Sequence, residues 1–514
     1  MSTRWDPTVA LSSDEERIVA RCKKAKLYAF LRHHRHELFD ESFQRELAAM
    51  YPERRRGDEP VAPALLAMAT ILQAYEGLSD EGAVDASVDS RRWQMLLGTL
   101  GSDAPAFAQG TLFNFRQRLI AHNMDRRLVE RTVELARTER GFSHKALRAV
   151  FDSSPLFGAG RVEDTFNLIG HAVRDVLRTV AKRLSVSFEE AARRGGVPLL
   201  AGGSSLKAAL DVDWDDPKQK KVALETLLGQ VRSLETFLEG ELAEALKAPP
   251  LQEQWATVQQ ILGQDIEPDP EGGSRIRQGV AKERRISVRD GAMRHGRKSK
   301  SSRVDGYKRH LAVDGISKLI LAVAVTPANR PEGEASGDLL RDVEIQGFTI
   351  QDLDIDRAYL LAEAIEWRRT WDLRVHAKAF PLRNHGRYTK ADFQLDFEAA
   401  KVTCPAGMVV PLTRGKVSRF PARACAPCTQ RERCTTAPAR HLAIHREEPF
   451  LAELRAKQKT PEGRADLRKR TVVEHRLAAV GGPRRRRARY VGVRKNLFDI
   501  RRHAAVANLH IAAA

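Results

Sequence analysis

The sequence predicts an α/β core of mixed strand direction, preceded by an all-α segment and interrupted by two insertions. Three observations predict it. Apolar residues recur at helical period through roughly the first 145 residues, short β-branched runs then alternate with helical stretches, and four of the five cysteines crowd into one polar, proline-rich stretch.

Taken in order, Ala64-Leu65-Leu66-Ala67-Met68-Ala69-Thr70-Ile71-Leu72 has the helical repeat, and Ser79-Asp80-Glu81 caps the start of the next helix. Thr111 to Leu119 carries aromatic and basic residues on one predicted helix. It reads either as an amphipathic helix with a solvated basic face or as a DNA contact. Leu147-Arg148-Ala149-Val150-Phe151 is a short strand expected to end at Asp152, with Ser153-Ser154-Pro155 breaking it. Residues 162–285 read as mostly helical, with breaks at Gly202-Gly203-Ser204-Ser205 and Pro268-Asp269-Pro270-Glu271-Gly272-Gly273. Strands return at Tyr307–Val313 and Leu319–Val325, joined through Asp314-Gly315 as a hairpin. A helix over Gly333–Gln346, a strand over Thr349–Ile355 ending at Asp356, a helix over Leu360–Thr370 and a strand over Leu373–Ala377 follow. The chain closes with a helical stretch from about 460 to 512. The boundaries expected are 1–145 for the helical segment, 146–185, 286–381 and 446–514 for the core, 186–285 for a helical insertion and 382–445 for the cysteine-bearing insertion.

The net charge is +19, which favours nucleic acid as partner because basic side chains release counterions from phosphates; an anionic membrane surface is the other candidate. No run of about 18 apolar residues suits a membrane span, and Met1–Ala10 lacks a signal-peptide layout, so a cytosolic protein is expected. In a reducing compartment a cysteine cluster points to metal before disulfides. Twenty residues separate Cys404 from Cys425, two separate Cys425 from Cys428 and five separate Cys428 from Cys434. The Cys-Ala-Pro-Cys knuckle suits tetrahedral thiolate ligation of Zn²⁺ in a closed structural site, with His441 or His445 replacing one cysteine as a variant and free thiols as the alternative. Such a clip would tie down an insertion lacking its own core.

Asp152 and Asp356 each follow a predicted strand, where functional groups of α/β sheets collect, and Glu474 lies on a predicted helix within Arg470-Thr471-Val472-Val473-Glu474. Carboxylates are the ligands Mg²⁺ prefers, and two-metal phosphoryl transfer needs several around one spot. Spacing does not select these three from 67 acidic residues.

A resemblance does. Phe151-Asp152-Ser153-Ser154-Pro155 with Gly158-Ala159-Gly160-Arg161, Asp356-Arg357-Ala358-Tyr359, and Glu474 four residues after Arg470 resemble the signatures of DDE transposases of the IS4-like superfamily, most of all the IS1182-type insertion-sequence group. Tyr75-Glu76-Gly77-Leu78-Ser79-Asp80, Arg92-Trp93, Leu97-Gly98 and Leu112–Arg116 resemble the N-terminal helical domain of that group, and Ala488–Gly492 with Ala507-Asn508-Leu509 resemble its ending. Leu467 stands at the tyrosine position of the Tyr-x-x-Arg-x-x-x-Glu-x₆-Lys motif, and Gly481 at its lysine position.

The resemblance implies an RNase H-like fold in which Asp152, Asp356 and Glu474 hold two Mg²⁺ ions (Mn²⁺ serving as an alternative). It implies cleavage of DNA at terminal inverted repeats and strand transfer into target DNA, by a homodimer or larger assembly in the bacterial cytosol, associated with the nucleoid. Phosphate contacts are then expected from Lys298 and Lys300 and from Arg470, Arg484, Arg485, Arg486 and Arg487. Similar cysteine clusters occur in that group between the last core strand and the Glu-bearing helix. A retired transposase that binds DNA without cutting it, and a zinc-dependent transcription regulator, are the competing readings.

Overall fold

The computed structural model describes residues 4–52, 60–201, 206–279, 281–298, 301–360, 365, 368–481 and 486–514. Eight helices come first: α1 (Ser13–Arg21), α2 (Lys26–Leu38), α3 (Glu41–Ala48), α4 (Pro63–Glu76), α5 (Asp80–Asp89), α6 (Arg91–Leu97), α7 (Gln109–Ala121) and α8 (Met124–Arg140). Ser12, Asp40, Ser79 and Ser90 cap α1, α3, α5 and α6 by accepting from backbone N–H groups that have no partner within the helix. Helix α4 is apolar all round and is the buried axis of this unit. Arg116 on α7 is spent inside the fold, in a bidentate pair with Asp80 at 2.7 Å, and Arg118 covers the ring of Tyr51. Arg116 thus follows neither reading of α7: it is buried and paired rather than on a solvated basic face or presented to DNA.

A mixed sheet follows. Strand β1 (Ala146–Phe157) leads into the helical insertion, α9 (Thr165–Leu184), α10 (Phe188–Arg194), α11 (Leu206–Leu210), α12 (Pro217–Glu241), α13 (Ala243–Leu246) and α14 (Leu251–Asp265), which ends in a small hairpin, β2 (Ile266–Pro268) and β3 (Ser274–Ile276); β4 (Arg294–Arg297), β5 (Arg303–Asp314), β6 (Ile320–Pro327), β7 (Thr349–Ile355) and β8 (Arg374–His376) complete the core. Strands β4 and β6 line one edge of β5, β1 lies on its other edge, and β7 and β8 extend the sheet; β5 is antiparallel to its neighbours, while β1, β7 and β8 run parallel. β1 does not end at Asp152, as the sequence suggests, but runs to Phe157. The reason is local. The N–H groups of Phe157 and Gly158 point to opposite sides of the strand, Gly158 towards β5 and Phe157 away from it, so alternation places Pro155 nitrogen on the side away from β5. β7 has ended by then, so Pro155 costs the sheet no hydrogen bond.

The helix expected over Gly333–Gln346 opens as a 3₁₀ turn, Glu332–Ala335, before α15 (Ser336–Ile345). The one expected over Leu360–Thr370 falls partly outside the described residues; Leu360 is not helical, whereas Ile365 and residues 368–370 are.

One face of the sheet packs Phe151, Ala312, Leu353 and Ile355 against Leu339, Leu340 and Val343 of α15. The other packs Val150, Leu311 and Val313 against the last helices. These are α18 (Thr471–Gly481) and α19 (Val493–Ala512); of the two helices before them, α16 (Glu448–Lys457) and α17 (Pro461–Arg468), α16 places Phe450, Leu451 and Leu454 on the first face. Helix α19 is shared. Its Phe498, Val506 and Leu509 join the N-terminal core, and its Asn508 side chain bonds both N (2.8 Å) and O (2.9 Å) of Ile320 on β6.

The helical insertion builds its own core from Phe166 to Val288. The first of its helices, Thr165–Leu184, packs there, whereas the sequence reading grouped it with the sheet. Its apolar face meets Leu227, Val231, Trp255 and Val258, and the two ends of the unit meet where Glu163 N–H donates to Ile286 O.

Residues 382–445 also differ from expectation. They have a small core of their own: Phe393, Val402, Val410, Leu412, Phe420, Leu442 and Ile444, carried on five three-residue strands. The unit is fastened to α16 by Lys390, whose Nζ lies 2.6 Å from the buried Glu448.

Candidate active site and cysteine cluster

Side chains alternate across a strand, so the sheet register decides what shares a face. Phe151 pairs with Ile355 in the parallel ladder of β1 and β7, which makes Asp152 and Asp356 the next neighbours, on the side covered by α18. Arg148, Ser154, Asp354 and, from β5, Arg309 lie on that same face.

Helix α18 brings the third acid. Arg470, just before it, donates Nη1 to Asp152 Oδ2 at 2.6 Å and has Nη2 3.7 Å from Glu474 Oε1. One guanidinium thus links the β1 acid to the helix acid. Asp152 is mostly buried, and Glu474 is exposed, with 60 % of its side chain accessible. Asp356 caps the turn that follows β7 by accepting from Arg357 N–H at 2.7 Å. Burial pushes the Asp152 carboxyl up to about 6; Asp356 and Glu332 push the same way, while Arg470 and the Ser153 N–H oppose them.

Asp354, two residues before Asp356 and an alternative to it as second acid by sequence alone, is committed elsewhere. It is 1 % exposed and held by Arg148 Nε (2.6 Å) and Nη2 (2.8 Å). Arg148 also reaches Asp466 on α17 at 3.3 Å, and Asp466 lies 3.3 Å from Lys457 on α16. His376, on β8, donates or accepts between Asp352 (2.7 Å) and Lys457 (2.9 Å). This network fastens α16 and α17, the helices that precede Arg470 and Glu474, to the sheet.

Three residues of this neighbourhood escape the sequence reading. Arg148 breaks an otherwise apolar strand, which is the one local signal for it. Glu332 influences Asp152 from the turn before α15. Arg309, 4 % exposed, donates Nε to Ser154 Oγ at 2.6 Å, and burial together with the charge of Arg486 holds its pKa down at about 10.

Of the expected phosphate contacts, Arg484, Arg485 and Lys300 lie outside the described residues. Arg486 and Arg487 are exposed on a segment that pairs with the end of β1: Phe157 N–H donates to Arg486 O at 2.8 Å and Ala488 N–H to Phe157 O at 2.6 Å. Lys298 follows β4, at the opposite edge of the sheet, where its N–H bonds Ser302 O.

The four cysteines surround one cavity of about 550 Å³, shared with Tyr388, Met408 and Phe420. Two turns present three of them, as Gly407 N–H donates to Cys404 O at 2.9 Å and Cys428 N–H to Cys425 O at 3.3 Å, and Cys434 ends the short helix Arg431–Cys434. Burial raises the Cys434 thiol pKa and the other three cysteines add to the shift, against the opposing charge of Arg440. Neither His441 nor His445 lines the cavity. Among the described residues, three metal-ligating atoms come within 4.8 Å of one another only at His34, Glu37 and Glu139, so neither the four thiols, which share a cavity, nor Asp152, Asp356 and Glu474 stand at ligand spacing in this structure. As a donor set four thiols fit Zn²⁺, and the carboxylates of the sheet fit Mg²⁺.

Among the described residues no helix is long and apolar enough to cross a membrane. Residues 21–118 match the family described as Transposase domain (DUF772), and residues 278–509 match Transposase DDE domain. No curated protein and no solved structure matches the chain. The second match contains Asp356 and Glu474 but not Asp152, which the sheet register supplies from outside it.

Proposed function

The chain belongs to the DDE transposases, with the pairing of domains typical of IS1182-type members, and on that premise we propose that it cuts DNA at terminal inverted repeats and joins the freed ends to target DNA. The single observation that carries this reading is the convergence on Arg470: Asp152, from a strand outside the matched segment, and Glu474, from a helix inside it, meet at one guanidinium beside Asp356. The mixed sheet with helices on both faces, and acids delivered by two adjacent strands and one helix, supports an RNase H-like core.

Asp152, Asp356 and Glu474 would hold divalent cations, Mg²⁺ or Mn²⁺, which supply an activated water or 3′-hydroxyl and stabilise the leaving oxygen. The chain's own contribution is placement. The ladder of β1 and β7 sets the two aspartates side by side, the Arg148–Asp354–Asp466 network holds the helix just before Arg470, and Arg470 lies between Asp152 and the helix acid. A carboxyl held up at about 6 is still mostly ionised near neutral pH and ready to ligate. Arg470 offers a planar donor to the DNA backbone at the same spot. Cys404, Cys425, Cys428 and Cys434 would hold a structural Zn²⁺, and assembly on paired DNA ends belongs to the same reading.

Purified protein with Mg²⁺ should nick duplex DNA carrying the inverted repeats that flank its gene. Asp152→Ala should bind that DNA and leave it whole. Equal cutting by both proteins would remove Asp152 from the site, and binding without cutting by the wild type would favour the retired-transposase reading.

A further inference from the structure

Between the end of β7 and the segment at Arg487, the β1 edge from Asp152 to Leu156 has no strand neighbour among the described residues. Two cations frame this notch. Arg309, on β5 directly opposite Ser154, shares the face of Asp152, is almost fully buried, and is held by Ser154 Oγ at 2.6 Å. Arg486 rides on the segment bonded to Phe157 and lies close enough for its charge to act on Arg309. The two arginines are thus set three residues apart along β1, one through Ser154 and one through Phe157. A phosphodiester suits that arrangement, because its anionic oxygens accept from planar guanidinium donors. Arg470, already on Asp152, places a third guanidinium at the head of the same notch. Gly481 offers no side-chain cation from the last turn of α18.

We propose that Arg309 and Arg486 form a phosphodiester cradle that seats the DNA strand along the open edge of β1, beside Asp152 and Asp356. Arg309 is the fixed member, oriented by Ser154, and Arg486 is the exposed one that meets the strand first. The cradle rests on the DNA-cutting reading above.

The test uses full-length protein, Mg²⁺ and a duplex ending in the terminal repeat, with single uncharged methylphosphonates replacing successive phosphates around the cleaved bond. Wild type should lose about 100-fold in cutting rate at one or two of these positions. Arg486→Gln should cut more slowly on the unmodified duplex and show no further loss at one of them. Its binding should also lose about 0.9 from the slope of log affinity against log salt, the share of one phosphate. Arg309→Lys, which keeps the charge and removes the fork, should behave likewise; if it fails to fold, Arg486→Gln decides alone. Arg193→Gln, on the helical insertion, should match wild type throughout. Wild-type cutting with an unchanged methylphosphonate profile for Arg486→Gln overturns the cradle. A wild type that cuts nothing overturns the catalytic reading beneath it instead.

Discussion

The catalytic face and the cysteine unit are both candidate metal centres, and they are built in opposite ways. The acids of the first are set by a sheet ladder and by ion pairs that join residues hundreds of positions apart, as Arg148 to Asp466 and Arg470 to Asp152 do. The thiols of the second are set by two local turns and one short helix around a cavity, over a core of seven buried apolar residues. The first arrangement is preorganised by the protein's own charges. The second is held by its small core, by short contacts such as Asn384 Nδ2 to Cys434 O, and by the Lys390–Glu448 fastening, and a bound ion would add directly to its folding. The difference teaches where the free energy of a bound metal would go: into chemistry on the sheet, into structure in the insertion.

That contrast can be broken most directly by removing a catalytic acid. Asp356→Ala should lower cleavage by on the order of 1000-fold or more while the thermal transition and DNA binding stay near wild type. A variant that unfolds would place Asp356 among the structural residues.

Removing the framework is the next largest test. Arg148→Met leaves Asp354 buried without its partner and should cost about 3 kcal/mol in denaturant unfolding. The effect should exceed that of Arg374→Met, whose side chain is 70 % exposed in its pair with Asp352.

The cysteine unit should answer differently. Cys428→Ser should release bound zinc, measured by metal analysis, and make residues 382–445 sensitive to proteolysis, with the sheet still protected. Loss of the whole fold would mean the two regions are not independent.

The smallest effect concerns Asp152 itself. Its folded pKa, about 6, lies above the ordinary 3.8, so the folded state holds this proton more tightly than the unfolded chain does. The resulting stabilisation is present in full below pH 4, falls away as the pH rises through 6, and above that leaves a buried charge that opposes folding. Asp152→Asn in chelator should therefore be more stable than wild type at pH 7.5, by about 1 kcal/mol after allowing for its lost bond to Arg470, and the gain should vanish near pH 4.

Much of this architecture is legible in the sequence because it is written in local pattern. The strand ending at Ile355, the hairpin at Asp314 and the helices of the first 140 residues follow from periodicity and caps. What is not legible depends on partners distant in the chain. Nothing near Pro155 says that β7 stops short of it, nothing near Arg116 says that Asp80 waits for it, and nothing near Asp354 says that Arg148 takes it while Asp356 is left for the site. The helix Thr165–Leu184 is likewise amphipathic whichever partner it has, and only tertiary packing assigns it to the insertion.

The account's central claim is that three carboxylates from distant parts of the chain share divalent ions, and Mn²⁺ titration by calorimetry tests it most directly. Asp152→Asn, Asp356→Asn and Glu474→Gln should each weaken Mn²⁺ binding on the order of 10-fold or more, while an Asp338→Asn control on α15 binds as wild type does. Undiminished binding in either the Asp356 or the Glu474 variant would contradict the claim.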